Sequence, residues 1–181
     1  MRPSKNTKNI MPLVQLTANI TDLSFIYSCL LYGARKGHYS FNAENPEVVR
    51  QMKKEIQSVI SHQRLLDRRY ALASIYTLKN KRIATSIMSA AFLNDDSFEF
   101  HAVSVARKFQ NRGYGSHIID DLLSRYQHSE IYARCSPASE KMNELLENRG
   151  FRLHSIDMGY KVLVRDAFVD KCFIEPVHLR Y

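Results

Sequence analysis

The chain has 181 residues, a net charge of +8 and 45% apolar residues, enough to bury the core of one ordinary domain. No run approaches 18 uncharged apolar residues, and the polar residues 1–9 precede no apolar stretch, so we expect neither a membrane span nor a secretory signal. Three widely spaced cysteines predict neither a disulfide framework nor a zinc site. We therefore expect one cytoplasmic domain over residues 1–181, with residues 1–9 as a loose tail and no metal.

Hydrophobic periodicity in the first part of the chain predicts a strand and two helices. An alternating strand over residues 13–20 has one apolar face, and a helix over residues 23–32 is expected to end at Gly33. A polar loop over residues 34–45 then leads to a second helix that begins at Pro46.

Strand-like periods dominate the rest of the chain. Strands are predicted over residues 71–78, 82–92, 98–105, 130–135, 151–156 and 159–164, with helices over residues 113–126 and 139–148 and a turn at Asn94, Asp95 and Asp96. The resulting order, β-α-α-β-β-β-α-β-α-β-β, is neither a βαβ repeat nor a sandwich. It predicts an α/β (α+β) fold, in which helices flank a mixed, mostly antiparallel sheet of about seven strands.

Residues 105–119 place a turn with two glycines between a predicted strand and a predicted helix. The first N–H groups of a helix lack partners within it, and the helix dipole adds attraction for phosphate. Gly113 and Gly115 leave room for a pyrophosphate against the backbone, and Asn111 tolerates positive φ. The pattern matches neither a P-loop nor a dinucleotide fingerprint. The alternative is a glycine-marked helix start without a ligand.

The letters QNRGYG at residues 110–115 match the motif Q/R-x-x-G-x-G/A, with the usual valine before it at Val105. In this segment the chain resembles the GNAT superfamily of N-acetyltransferases, and histone-acetyltransferase members look closest. A second segment, LLENRGF at residues 145–151, is similar to the L-Y-E-x-x-G-F signature of that superfamily.

The resemblance implies acetyl-CoA as cosubstrate, bound where the sheet splays between its fourth and fifth strands. The pantetheine arm would pair with the backbone of the fourth strand, and the pyrophosphate would lie on the amides of the turn. The expected cofactor-binding residues are Val103, Ser104, Val105, Gln110, Asn111, Arg112, Gly113, Tyr114, Gly115 and Ser116.

An amine attacks a thioester only after losing its proton. Counting back from Gln110, Glu99 falls where the histone-acetyltransferase members carry a catalytic glutamate. Glu99, His101 and Val103 share one face of a regular strand unless a bulge breaks the parity. We predict Glu99 as the base, with His101 beside it, and a backbone N–H at Val103 or its neighbour for the oxyanion. The alternatives are a solvated glutamate and a hydrogen-bonded structural histidine.

Many members of the superfamily place a tyrosine hydroxyl beside the thioester sulfur, where this chain has Leu146. Tyr132, Tyr160 or Ser139 could replace that hydroxyl, although packing is the simpler role for either tyrosine. Cys135 is expected to be a buried thiol rather than a covalent acyl carrier, so the amine would attack directly within a ternary complex.

The acceptor is expected against the loop over residues 33–45, with His38 and Tyr39 as substrate-binding residues, unless this loop is only a solvated connector. Arg35 and Lys36 would repel a polycation, which favours a small-molecule amine or a single peptide amine. A homodimer is common among the proteins that the chain resembles.

Two other functions are open. The missing tyrosine fits a non-catalytic sensor or scaffold that binds acetyl-CoA. The positive charge fits a nucleic-acid-binding module, but its basic residues have no interleaved aromatic platform and no recognition helix, so a nucleic-acid partner is not expected. Those basic residues are Arg64, Arg68, Arg69, Lys79, Lys81 and Arg82.

Overall fold

The structure is a computed structural model that describes residues 13–91 and 97–168. The predictions for residues 1–9, for the end of the third strand at Phe92 and for the turn at residues 94–96 lie outside the described residues.

Seven strands and four α-helices follow one another in the predicted order. The strands are β1 (Val14–Thr17), β2 (Ala71–Leu78), β3 (Lys81–Ala90), β4 (Phe98–Val105), β5 (Ile131–Cys135), β6 (Arg152–Asp157) and β7 (Tyr160–Arg165). The helices are α1 (Leu23–Arg35), α2 (Pro46–His62), α3 (Tyr114–Arg125) and α4 (Glu140–Glu147), and two short 3₁₀ helices at Ile20–Asp22 and Arg107–Phe109 were not predicted.

The strands form one sheet in the order β1-β2-β3-β4-β5-β7-β6. All neighbours are antiparallel except β4 and β5, which are parallel. The predicted mixed, mostly antiparallel sheet of seven strands with flanking helices is confirmed.

The sheet opens between β4 and β5. These strands pair at only three positions, from Phe98 with Ile131 to Phe100 with Ala133, so the later part of β4 has no partner on that side. An apolar cluster beneath this seam, on the side of α3 and α4, contains residues of both strands together with Ile119. Side-chain packing therefore joins the two halves of the sheet where backbone pairing stops.

The helices α1 and α2 cover the opposite face of the sheet. Their apolar residues, among them Ile26 and Ile56, pack on Ile75 of β2 and Ala102 of β4. Each face of the sheet thus carries its own buried layer, and the opening between β4 and β5 lies between the two layers.

Three local predictions differ from the structure. The helix α1 does not end at Gly33 but continues to Arg35, because this glycine adopts helical geometry and leaves space for a neighbouring ring. The strand β1 ends at Thr17, and its apolar residues Val14 and Leu16 are 57% and 52% exposed, since β1 is an edge strand with a partner only in β2.

The third difference concerns β4. Ala102 pairs with Ile87 of β3, and Phe100 pairs with the next residue, Met88, so His101 is an extra residue with no partner in the register. A bulge of this kind reverses the alternation of side chains. Glu99 and Val103 therefore do not share a face of β4, as a regular strand would require.

Candidate active site

A cleft of about 620 Å³ follows the unpaired part of β4 to the N-terminus of α3. Nine of the ten predicted cofactor-binding residues line it. The exception is Arg112, which does not line the cleft and whose guanidinium lies 5.8 Å from the centre of the Phe109 ring. The sequence motif thus predicts a continuous surface, but the binding of a cofactor to it stays a prediction.

The turn before α3 has the backbone that the glycine pattern predicts. Asn111 has φ 59° and Gly113 has φ 85°, both in the left-handed region that Asn and Gly tolerate best. The side-chain amide of Gln110 donates to the carbonyl of Val105 at 2.9 Å and so ties the turn to the end of β4. The free N–H groups of the first turn of α3 therefore open onto the cleft.

Gly115 lies in the first turn of α3 and lines the cleft. A β-carbon at this position would have only Val105 within 4 Å, at 3.8 Å, which is an ordinary contact. Nothing within the described fold demands a glycine here. The space beside Gly115 is available to a ligand.

A second cavity of about 840 Å³ lies between α2, the loop after α1 and β4. Glu99 and His101, two residues apart on β4, both line it. Val103, which a regular strand would place on the same face, lies beyond the bulge and lines only the cleft. The chemical roles of Glu99 and His101 stay a prediction.

Glu99 is held by an arginine that the sequence analysis did not assign to the site. The Arg69 Nη1 atom lies 3.3 Å from Glu99 Oε2, and both side chains are largely buried, at 22% and 15% exposure. Arg69 also pairs with Asp67 at 2.8 Å and donates to the carbonyl of Ala90. These contacts fix the Glu99 carboxylate at the cavity wall.

The segment Gly37 to Tyr39, which we call the cleft loop, crosses the opening between β4 and β5. On the β4 side, the Tyr39 hydroxyl donates to the carbonyl of Val103 at 3.0 Å. On the side of β5, the Ser136 hydroxyl donates to the carbonyl of Gly37, and His38 Nδ1 lies 3.1 Å from Ser139 Oγ. Burial raises the pKa of the Tyr39 phenol, so this hydroxyl stays protonated and donates.

Five residues line both cavities, so the two cavities meet at the cleft loop. They are His38, Tyr39, His101, Ala102 and Arg134. Both predicted substrate-binding residues, His38 and Tyr39, belong to this set. A group bound in the cleft and a group bound in the second cavity would meet here.

Several solved structures share this fold, although no protein-family model matches the chain and no curated protein matches it significantly. An acetyltransferase from Thermus thermophilus superposes with a TM-score of 0.62 at 18% identity, covering 86% of this chain and 97% of that one. A protein assigned to the GNAT family from Desulfovibrio desulfuricans superposes with a TM-score of 0.62 at 11% identity, covering 84% and 96%.

A third solved structure contains ligands. It is spermidine N-acetyltransferase from Vibrio cholerae in complex with CoA and spermine, with a TM-score of 0.64 at 14% identity over 84% of this chain and 92% of that one. This chain has the GNAT fold.

Three residues were considered as replacements for the tyrosine that this chain lacks at Leu146. Leu146 is buried, at 1% exposure, and brings no proton donor to the cleft. Of the three substitutes, Tyr132 donates to Glu130 and lines neither cavity, and Tyr160 lines only the second cavity. Ser139 alone of the three lines the cleft.

The thiol of Cys135 fits the expectation of a buried cysteine. Its side chain is largely inaccessible, and burial raises its pKa to about 11. A neutral thiol is a poor nucleophile at physiological pH. The described residues include no cluster of metal-ligating side chains, and none of the helices they form is long and apolar enough to cross a membrane.

Three of the six basic residues that suggested a nucleic-acid module have partners within the fold. Arg69 pairs with Glu99, and Arg82 pairs with the buried Asp22 at 2.6 Å. Arg64 donates to the carbonyl of Arg68. These three arginines thus contact the fold or the cavity wall, and the absence of a nucleic-acid partner stays a prediction.

Sequence reasoning also missed three residues of α2 in the second cavity. Glu47, Gln51 and Glu55 recur every four residues, so they lie on one face of the helix, and all three line the cavity. The signal that could have identified them was this spacing, next to the apolar face of the same helix.

A glycine in the last turn of α1, Gly33, lies against the cleft loop. A β-carbon at Gly33 would lie 2.5 Å from Cε2 of Tyr39, so the ring occupies the space above this glycine. We expect Gly33→Ala to displace the ring and to lower the free energy of unfolding by about 1–3 kcal/mol, as overpacking does.

In a Tyr39→Ala background, Gly33→Ala should raise the free energy of unfolding instead of lowering it. With the ring absent, alanine should stabilise this helical position by up to about 1 kcal/mol relative to glycine. Chemical denaturation of the four proteins of this double-mutant cycle measures both effects. A destabilising Gly33→Ala in both backgrounds would show that the ring is not what the glycine accommodates.

Proposed function

We propose that this protein is an N-acetyltransferase that moves an acetyl group from acetyl-CoA to the primary amine of a small molecule. The observation that carries the proposal is the meeting of the two cavities at the cleft loop, with the glycine turn before α3 lining one cavity and Glu99 lining the other. The GNAT fold supports it, because solved structures with this fold include acetyltransferases.

In the proposed reaction, coenzyme A occupies the cleft. Its pyrophosphate would lie on the backbone N–H groups of the turn before α3, and its pantetheine would pair with the unpaired edge of β4 near Val103. An N–H group of that edge would also stabilise the oxyanion of the tetrahedral intermediate. Binding the cofactor requires the Tyr39 hydroxyl to share or release the carbonyl of Val103.

The acceptor amine would enter from the second cavity and lose its proton to Glu99, directly or through a water molecule. The neutral nitrogen then attacks the thioester carbonyl, the C–S bond breaks, and coenzyme A leaves as a thiolate. Direct attack is favoured over an acyl-enzyme because burial keeps the Cys135 thiol protonated.

The charged residues of the second cavity indicate which class of amine it would accept. Arg35 and Lys36 do not line the cavity, and Arg35 lies 3.5 Å from Glu44. The positive charges of these two residues therefore do not lie on the cavity wall. Glu47 and Glu55 face it from α2, and among the described residues Glu55 has no ion-pair partner. We propose a small acceptor with a second positive group near Glu55.

An amine panel that follows the release of free thiol from acetyl-CoA tests both parts of the proposal. We expect turnover with primary amines, and higher kcat/KM for diamines than for neutral monoamines. Binding of acetyl-CoA without any thiol release would instead favour the sensor or scaffold that Leu146 suggests.

Glu55→Gln should weaken the binding of diamines without affecting the transfer reaction itself. Loss of a charge-assisted contact of about 1.4 kcal/mol raises KM for a diamine about tenfold. KM for acetyl-CoA and for a neutral monoamine should stay unchanged. The matched control is Glu144→Gln, a change at an exposed glutamate of α4 that lines neither cavity. Equal effects of Glu55→Gln on diamines and monoamines would contradict a second cationic group in the acceptor.

A further inference from the structure

Ser139 is the N-cap residue of α4, yet its side chain makes no capping hydrogen bond. Serine is preferred at this position because its hydroxyl usually accepts a backbone N–H of the first turn. Here the hydroxyl lies instead 3.1 Å from Nδ1 of His38, a residue 101 positions away in the chain. The fold thus directs this hydroxyl toward the cleft loop rather than toward the helix.

The side chain of Asn143 holds the turn that contains Ser139 in place. The side-chain amide of Asn143, which is 7% exposed, donates to the carbonyl of Ser139 at 3.1 Å and to that of Ser136 at 3.4 Å. Ser136 in turn accepts the N–H of Ala138 and donates to Gly37. The position of the Ser139 hydroxyl is therefore set by buried contacts.

Ser139 and His38 are exposed to different parts of the site. Ser139 lines the cofactor cleft, whereas His38 lines both cavities and is exposed to solvent. A proton donated by the hydroxyl to a group in the cleft can be replaced from the imidazole, and the imidazole can be reprotonated from water. Imidazole is suited to this role because its ordinary pKa lies near neutrality.

From this geometry we propose that Ser139 and His38 together deliver the proton to the coenzyme A thiolate when the tetrahedral intermediate collapses. This inference rests on the proposed function. The electron pair of the breaking C–S bond goes to sulfur, the Ser139 O–H proton goes to that sulfur, and His38 Nδ1–H returns a proton to the serine oxygen. Leu146 has no proton to give, and Tyr132 and Tyr160 do not line the cleft.

A double-mutant cycle in the full-length protein tests the pair. We expect His38→Ala and Ser139→Ala each to lower kcat about tenfold, since a thiolate needs less acid assistance than an alkoxide does. Because the two groups act in sequence, the double variant should be no slower than the slower single variant. KM for acetyl-CoA should stay within about threefold. Ser139→Thr, which keeps the hydroxyl, should retain most of the activity.

Chemical rescue distinguishes proton delivery from a merely structural contact. Added imidazole should restore the kcat of His38→Ala, because the site is open to solvent, and should not restore that of Ser139→Ala. The control variants are His62→Ala and Ser155→Ala, whose side chains are exposed and line neither cavity. Thermal unfolding and acetyl-CoA binding, measured for each variant, confirm that the fold is kept.

The outcomes separate this inference from the proposed function. Wild-type kcat in both single variants, additive losses in the double variant, or failure of imidazole to rescue His38→Ala would each overturn the Ser139–His38 pair while acetyl transfer by the wild-type protein stands. A wild-type protein that transfers no acetyl group to any amine would overturn the proposed function and this inference together.

Discussion

Gly115→Val should abolish the stabilisation of this protein by acetyl-CoA. For the wild-type protein, acetyl-CoA at 100 times its dissociation constant adds about 2.7 kcal/mol to the free energy of unfolding. A branched side chain at Gly115 would occupy the place where a phosphate must approach the backbone of α3. A β-carbon here meets only Val105, at 3.8 Å, so the unliganded variant should fold with nearly unchanged stability.

Thermal shift with and without acetyl-CoA or coenzyme A measures this effect. The matched control is His117→Val, which places the same branched side chain near the start of α3 at a residue that does not line the cleft. The control should lose no ligand response. A Gly115→Val variant that is still stabilised by acetyl-CoA would show that the turn before α3 is a helix start without a phosphate site.

Glu99→Gln should lower kcat by about a hundredfold near neutral pH, with little change in the affinity for acetyl-CoA. Glutamine keeps the shape of the side chain and can still accept a hydrogen bond from Arg69, but it cannot take a proton from the acceptor ammonium. Arg69 keeps Asp67 as a partner, at 2.8 Å, so the substitution leaves no cation unpaired.

The pH dependence of the Glu99→Gln variant identifies the role of the carboxylate. An acceptor amine loses its proton to bulk water as the pH approaches its own pKa, so the rate of the variant should recover toward the wild-type rate at high pH. Glu144→Gln serves again as the control and should change neither kcat nor its pH profile. If kcat of Glu99→Gln stays within a few-fold of wild type near neutral pH, another group is the base.

The order and type of the regular elements could be predicted because each has a local cause. The predicted bounds of β2 and β4 agree with the structure to the residue. The asparagine before Pro46 caps α2 by accepting the N–H of Glu47. The turn at residues 110–113 could be predicted as well, since positive φ is favourable for few residues other than Asn and Gly.

The features that no local pattern reveals arise from tertiary packing. The bulge at His101 depends on the register between two strands, and the passage of α1 through Gly33 depends on a ring six residues further along the chain. The contacts of Arg69 with Glu99 and of His38 with Ser139 join positions 30 and 101 residues apart. The sequence suggested a nucleic-acid alternative for Arg69 and Arg82, because Glu99 and Asp22, which pair with them across the fold, are distant in sequence.

The seam between β4 and β5 has a mechanical consequence. A ladder of N–H to C=O bonds is directional and fixes the spacing of two strands within a few tenths of an ångström. Contacts between apolar side chains are not directional and tolerate small displacements. Beyond Phe100 and Ala133 no backbone pairing joins β4 to β5, and the halves of the sheet are held by such contacts and by the side-chain hydrogen bonds of the cleft loop. We therefore expect the gap to change its width slightly without breaking a bond of the strand ladder. We expect a gap that is joined in this way to accommodate bound groups of slightly different thickness.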